Sequence, residues 1–188
     1  MKQISTILFN LLFFNVFAQN NFVDSLTTLL NASNNEFEIA KINLQLSKYY
    51  EGINLQKGKD LAHKTLLFSD NDSLMAEASN QLGRFHFLMA ELDSAAFYFE
   101  NAKEILHGLK DNKRVAIIDI SIGAVKLRQG DYNGTIKTLT GSASYFEETG
   151  DKLNAAKCYS NISSALAELE NYSKAIEYKI LALNIFKD

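Results

Sequence analysis

Apolar residues return every three or four positions from about residue 36 onward, and short polar stretches interrupt that rhythm at even intervals. A spacing of this kind predicts amphipathic helices separated by turns. The interruption at Gln129-Gly130-Asp131-Tyr132-Asn133-Gly134-Thr135-Ile136 has the form of a hinge between two helices, and it recurs 40 residues away in both directions. The earlier copy is Met89-Ala90-Glu91-Leu92-Asp93-Ser94-Ala95-Ala96 and the later one Leu169-Glu170-Asn171-Tyr172-Ser173-Lys174-Ala175-Ile176. Columns outside the hinge keep the same phase. Leu82-Gly83, Ile122-Gly123 and Ile162-Ser163 align, placing a small residue where two helices need close approach; Ala102, Ser142 and Ala182 align, as do Ile105, Tyr145 and Ile185, then Leu106, Phe146 and Phe186. Asn71, Asp111 and Asp151 mark the turns between repeats. Such a period means stacked units, none of which buries its apolar face alone. Four two-helix units sharing one unbroken apolar seam are therefore expected.

In chain order, residues 19–35 predict a short capping helix with Leu26, Leu29 and Leu30 on one face and a break at Asn31 to Asn35. The repeat region spans 36–188. Its first unit has helix A at Glu36–Tyr50 and helix B at Leu55–Phe68, in register with later columns at a spacing of 37, taken as a shorter turn. In the second unit Asp72 or Ser73 caps helix A, which runs to Met89; Asp93 or Ser94 opens helix B, with Ala95, Phe99, Ala102, Ile105 and Leu106 inward. The third unit pairs Asn112–Arg128 with Tyr132–Phe146, and the fourth Lys152–Leu169 with Tyr172–Phe186. Gly141 falls inside a helix, where it costs about 1 kcal/mol relative to alanine. The chain has no proline.

The first 18 residues break the pattern. Lys2, the apolar run Ile7 to Phe17 and the small residues of Val16-Phe17-Ala18 read as a signal peptide cleaved near Ala18, which implies an exported chain, periplasmic or extracellular. No later stretch is long and apolar enough to span a bilayer. Without Lys2 the basic count falls from 19 to 18 against 22 acidic residues, a formal charge of −4. No clustered basic run exists, so nucleic acid is not an expected partner. The single cysteine, Cys158, sits at helical spacing from Ala155, Tyr159 and Ile162 and is expected to be a buried packing thiol, and it is too far from the cleavage point for a lipid anchor.

Catalytic constellations do not assemble. His63, His86 and His107 fall in separate helices with no two at ligand spacing, so no metal site is expected. Gly130 and Gly134 belong to a hairpin turn and its following helix, not to a phosphate loop. Glu147-Glu148 reads as helix-end charge remote from any pocket former. No cofactor is implied, and the chain is not expected to be an enzyme. The Asn-x-Ser/Thr sequons at Asn31, Asn71, Asn133, Asn161 and Asn171 matter only in a eukaryotic secretory route, whereas the short n-region and asparagine-rich composition read as bacterial.

Leu82-Gly83, Gly130-Asp131-Tyr132, Asn171-Tyr172, Ala95, Phe99, Ala102, Ala175 and Ala182 together resemble the tetratricopeptide repeat (TPR) family over residues 36–188. The period of 40 exceeds the family's usual 34, implying longer helices, and the proline that commonly closes each repeat is missing. The resemblance implies an all-α solenoid of antiparallel helix hairpins, about four repeats in a right-handed superhelix whose A helices line a concave groove. Carried over residue by residue, the groove presents Asn80, Gln81, Arg84 and Phe87, then Ile117, Ile120, Ser121, Ala124 and Leu127, then Lys157, Ser160, Asn161 and Ser164. Amides and Arg84 beside an apolar strip suit an extended peptide. The clamp with which chaperone-binding members hold a terminal carboxylate is not reproduced: Asn80, Ile120 and Ser160 stand at one of its lysine positions, and Ser47, Arg84, Ala124 and Ser164 at its asparagine position. Signal, leading helix and long-period repeats together resemble the periplasmic sensor region of bacterial signalling proteins. The reading is a non-enzymatic scaffold for a protein or peptide ligand, with homo-oligomerisation left open. Its competitor is an accessory protein binding a sugar or other small molecule, for which Tyr49, Tyr50, Phe85 and Phe87 are the candidate stacking rings. Helix B of the fourth unit either closes the array with Asn184 and Lys187 outward, or precedes further chain.

Overall fold

A computed structural model describes residues 22–185. Among these residues every regular element is a helix: α1 (22–32), α2 (Glu36–Tyr50), α3 (Leu55–Leu67), α4 (Asp72–Leu88), α5 (Leu92–Gly108), α6 (Asn112–Gln129), α7 (Tyr132–Glu148), α8 (Lys152–Glu168) and α9 (Tyr172–Asn184). Two compact units divide the chain, the first ending at Asp70 and the second beginning at Asn71; α2 pairs with α3 in the first, and in the second each helix from α4 to α8 pairs with its successor. The architecture is an all-α solenoid of antiparallel hairpins. The signal-peptide reading of residues 1–18 and the aligned Phe186 lie outside the described residues.

Helix starts are set by asparagine and aspartate. Asn35, Asn54, Asn71, Asp111, Asp131, Asp151 and Asn171 each accept a first-turn backbone N–H, which would otherwise lack a partner. The cap of α4 is thus Asn71, whose Oδ1 takes the Leu74 N–H at 3.0 Å, and not Asp72 or Ser73. Likewise α5 opens at Leu92 after Glu91, which makes no side-chain cap bond, with Asp93 already inside the first turn.

Helix ends in the second unit repeat twice as often as the sequence columns do. Ala90, Lys110, Gly130, Gly150 and Glu170 stand twenty residues apart, all with φ between 57° and 82°. Around each, two hydrogen bonds close the preceding helix, as in Asp131 N to Lys126 O at 2.9 Å and Gly130 N to Leu127 O at 3.2 Å. This left-handed closure occupies the last carbonyls and reverses the chain without proline. A- and B-type helices in this unit therefore have nearly equal length, 17 or 18 residues from α4 to α8, and the 40-residue period is two such half-units.

The first unit departs from this through its helices. Helix α2 has 15 residues and α3 has 13, so the shorter spacing comes from shortened helices and not from the shorter turn read in the sequence. Helix α1 buries Leu26 and partly buries Val23 and Leu30 against Ile42, Leu46 and Leu61, whereas Leu29 is exposed.

Close crossing within each hairpin fixes the core. A methyl group on Gly83 would meet the Phe99 ring at 2.6 Å, and one on Gly123 would meet Leu139 Cδ2 at 2.7 Å. Ser163 uses the same column differently, donating Oγ to Ala175 O at 2.7 Å, and Ser47 donates to Gly58 O at 2.8 Å in the first unit. The apolar interior is segmented, contrary to the unbroken seam expected. One cluster in the second unit gathers Phe99, Leu106, Ile118 and Ile122, another gathers Leu139, Phe146, Tyr159 and Ile162, and α6 contributes to both. On α9, Tyr172, Ile176, Ile180 and Leu183 are each half exposed or more, although Ala143, in the Leu183 column of α7, is buried. Asn184 is exposed as expected, and Lys187 lies outside the described residues.

Gly83→Ala and Gly123→Ala are each expected to lower stability by about 1–3 kcal/mol, because a packed ring or leucine cannot yield that space. Gly141, with nothing within 4 Å of an added methyl, is expected to gain about 0.5–1 kcal/mol as alanine. Lys110→Gly is expected to gain a similar amount by relieving the left-handed backbone. Urea midpoints of the four variants check the signs.

Candidate functional site

Helices α4, α6 and α8 are the A helices of the second unit, and α6 touches both others. Two arginines of α6 tie it to α4. Arg114 reaches back to Ser73 Oγ at 3.0 Å while its Nε holds Asp111 Oδ2 at 2.6 Å. The Arg114 backbone N–H and guanidinium keep the Asp111 carboxyl below its usual range. At the other end Arg128 donates to Phe87 O at 3.1 Å and lays its guanidinium 4.8 Å from the Phe87 ring centroid. A cation over an aromatic face is attracted by the ring quadrupole.

The residues singled out in the sequence fall on these helices as follows. Asn80, Arg84 and Phe87 stand on successive turns of one side of α4, Arg84 exposed and the other two half-buried. Gln81 is only 4% exposed, which withdraws it from the candidate surface. On α6, Ser121 and Leu127 are half-buried, while Ile120 and Ile117 lean onto the neighbouring core. On α8, Lys157 is exposed with Nζ on Asn154 Oδ1 at 3.0 Å, Asn161 is half-buried, and Ser164 turns its hydroxyl to Ser160 O at 3.1 Å. The A-helix side of the second unit thus offers Asn80, Arg84, Phe87, Ser121, Leu127, Lys157 and Asn161 as reachable side chains, a mixture of cation, amide and apolar groups.

Arg128 was named in the sequence only as the last residue of a helix; its position 41 residues after Phe87 is the signal that places it beside the preceding repeat's aromatic. Two further contacts were not foreseen. His86 Nδ1 lies 2.5 Å from Glu91 Oε2 across the turn after α4, and its ring stacks on Tyr98 with centroids 5.1 Å apart. Glu147 is not remote from any pocket former, since it accepts the Tyr159 phenol and lines a cavity. Among the candidate stacking rings, Phe85 is fully buried, and Tyr49 and Tyr50 pack edge to face at 5.2 Å, with Lys57 Nζ 4.2 Å from the Tyr50 ring. Among the described residues no group of three or more His, Cys, Asp or Glu gathers as metal ligands do, and no helix is long and apolar enough to cross a membrane.

Hairpins closed by left-handed turns and crossing at a small residue are matched by a known family over the last two repeats. Residues 114–188 match the tetratricopeptide repeat. No curated protein matches the sequence. Among solved structures the chain is similar to MamA, at 19% identity over 90% of this chain and 89% of that one, with a TM-score of 0.69. It is similar also to aspartyl phosphate phosphatase F from Bacillus subtilis, at 16% identity and a TM-score of 0.80 over 93% of this chain and 50% of that one. A third is a putative kinesin light chain of Podosopora anserina with TPR-like repeats, at 10% identity and a TM-score of 0.71, covering 89% and 86%. Likeness at these identities establishes the TPR-type fold and nothing finer.

Cys158, fully buried in the TPR-type core of α8, has its thiol pushed up to about 12 by burial. Since the folded thiol holds its proton to higher pH than the unfolded one, the contribution to stability is intact below about pH 9 and is lost as pH rises toward about 12. A thiol reagent at pH 8 is expected to leave the native chain unlabelled and to modify Cys158 rapidly in urea, as read by mass spectrometry.

Proposed function

We propose that the chain is a non-enzymatic TPR scaffold that binds a protein or peptide segment along the A-helix side of α4, α6 and α8. The observation that carries this reading is the side-chain mixture there: Arg84, Lys157, Asn80 and Asn161 beside Phe87 and Leu127. An extended peptide needs hydrogen-bond partners for its backbone and apolar contacts for alternate side chains, and this combination offers both. The Arg128 contact holds Phe87 in place across two repeats, so part of the surface is pre-formed, which lowers the ordering cost of binding.

The exported location belongs to the same proposal. Cleavage near Ala18 would deliver the repeats outside the cytoplasm, in the periplasmic setting where a sensor or docking module of a signalling system acts. Mass spectrometry of the chain expressed in a Gram-negative host is expected to find a mature N-terminus at Gln19; an intact N-terminus contradicts export by this route.

The binding proposal is tested by capture from the producing organism, comparing wild type with Asn80→Ala and Arg84→Ala. Arg84 is exposed and Asn80 half-buried, and neither belongs to an apolar core cluster, so the variants are expected to fold normally and to lose the captured protein partner. Partners retained at wild-type level by both variants would remove the A-helix surface from consideration.

A further inference from the structure

On the side of α8 turned away from Lys157, Ser160 and Ser164, a cavity of about 230 Å³ opens between α7, α8 and α9. Its floor is Ala143 and Ile162, its walls the rings of Tyr159 and Tyr178, and Glu147 and Ser144 stand at its edge. The two tyrosine rings are tilted to each other with centroids 5.7 Å apart, and the Tyr159 phenol donates to the Glu147 carboxylate. Burial and that carboxylate hold the Tyr159 phenol protonated well above the ordinary tyrosine range. The cavity presents two ring faces and one carboxylate, and no side-chain cation lines it.

The repeat itself shows what chemistry this place accommodates. Shifting the cavity residues back by 40 positions turns Ala143 into Lys103, Tyr159 into Asp119 and Ile162 into Ile122. There the Lys103 ammonium runs into the space between helices and sits 2.6 Å from Asp119 Oδ1. One repeat later the lysine is cut back to alanine, the aspartate becomes a tyrosine, and a carboxylate returns one turn further along α7 as Glu147. The first place carries its own cation; the second has the groups that attract a cation and room for one.

We propose that this cavity binds an alkylammonium cation, from a small free amine or from the lysine side chain of a partner. A cation within about 6 Å of a ring centroid is attracted by the ring face, and because the Tyr159 and Tyr178 centroids are 5.7 Å apart, a cation in the cavity beside the two rings lies within reach of both. The volume is below the roughly 300 Å³ at which pockets for larger ligands begin, so a single head group is what it takes. A metal ion is a poor occupant, because one carboxylate supplies too few hard oxygens. The site is separate from the A-helix surface and stands or falls independently of the function proposed for it.

The test is an NMR titration of the full chain, following the Tyr159 and Tyr178 ring protons, with tetramethylammonium, n-butylammonium and the tripeptide Gly-Lys-Gly. Tert-butyl alcohol serves as the uncharged shape control and glucose as the sugar control. Saturable shifts are expected with the cations, with tert-butyl alcohol at least about tenfold weaker. Tyr178→Ala and Glu147→Gln, both at the cavity rim, are each expected to weaken binding by about tenfold. Ala143→Lys, which restores the lysine of the preceding repeat, is expected to abolish it; circular dichroism establishes that the variants are folded, and if Ala143→Lys does not fold, the two rim variants decide. Tighter binding of Gly-Lys-Gly than of n-butylammonium assigns the partner side chain, and tighter binding of n-butylammonium or tetramethylammonium than of Gly-Lys-Gly assigns a small free ammonium ion. No saturable cation binding, equal binding of tert-butyl alcohol, binding of glucose alone, or binding undiminished in the folded variants would overturn the proposal.

Discussion

Within the first two hairpins of the second unit, one helix presses a bulky side chain onto the backbone of the other, and the contact exists only because the receiving position carries almost no side chain. Phe99 lies against Gly83 and Leu139 against Gly123, so close that an extra methyl group on either glycine would overlap them. Helices held at this distance exclude water from the groups behind the crossing, which is where Ala95, Ala102 and Leu106, or Thr135, Ala143 and Phe146, are buried. Thr135 shows how a polar residue enters such a crossing: its hydroxyl bonds Gly123 O at 3.2 Å and Asp131 O at 2.9 Å, so burial leaves it satisfied. The A-helix surface and the tyrosine cavity both inherit their geometry from this spacing.

The second constraint is helix length. A left-handed residue every twenty positions stops each helix from α4 to α8 after nearly the same number of turns, and the next cap residue starts its successor at once. Because A- and B-type helices are equal in extent, columns 40 residues apart land at the same height on neighbouring repeats. That is why Arg128 meets Phe87 and Arg114 meets Ser73, each 41 residues apart. It is also why a lysine at position 103 can be compared with an alanine at 143.

Much of this was legible in the sequence, and the reasons differ by element. The small-residue column and the hinge repeat announced the crossings and hairpins directly, since both need particular residue types. Starts were misplaced by one to three residues at Asn71 and Glu91, because neighbouring Asp72, Ser73, Asp93 and Ser94 are also able to accept an N–H. The twenty-residue turn was hidden: Ala90, Lys110 and Glu170 adopt the left-handed backbone that only Gly130 and Gly150 advertise. Gln81 was carried over with Asn80 and Arg84 on the family resemblance alone, yet it is buried in α4. The cavity was invisible for a different reason. It depends on Ala143, Tyr159 and Tyr178 from three helices, and no local pattern joins them.

An array of this kind is suited to binding because its surfaces are made by neighbouring repeats in combination while its stability is made within and between adjacent ones. Substitutions on the A-helix side or at the cavity rim can therefore alter recognition without touching a crossing. The account rests on the crossings, and nuclear Overhauser contacts observe them directly. It predicts strong cross-peaks from the Gly83 α-protons to the Phe99 ring and from the Gly123 α-protons to the Leu139 methyl groups; their absence from a folded sample would contradict it.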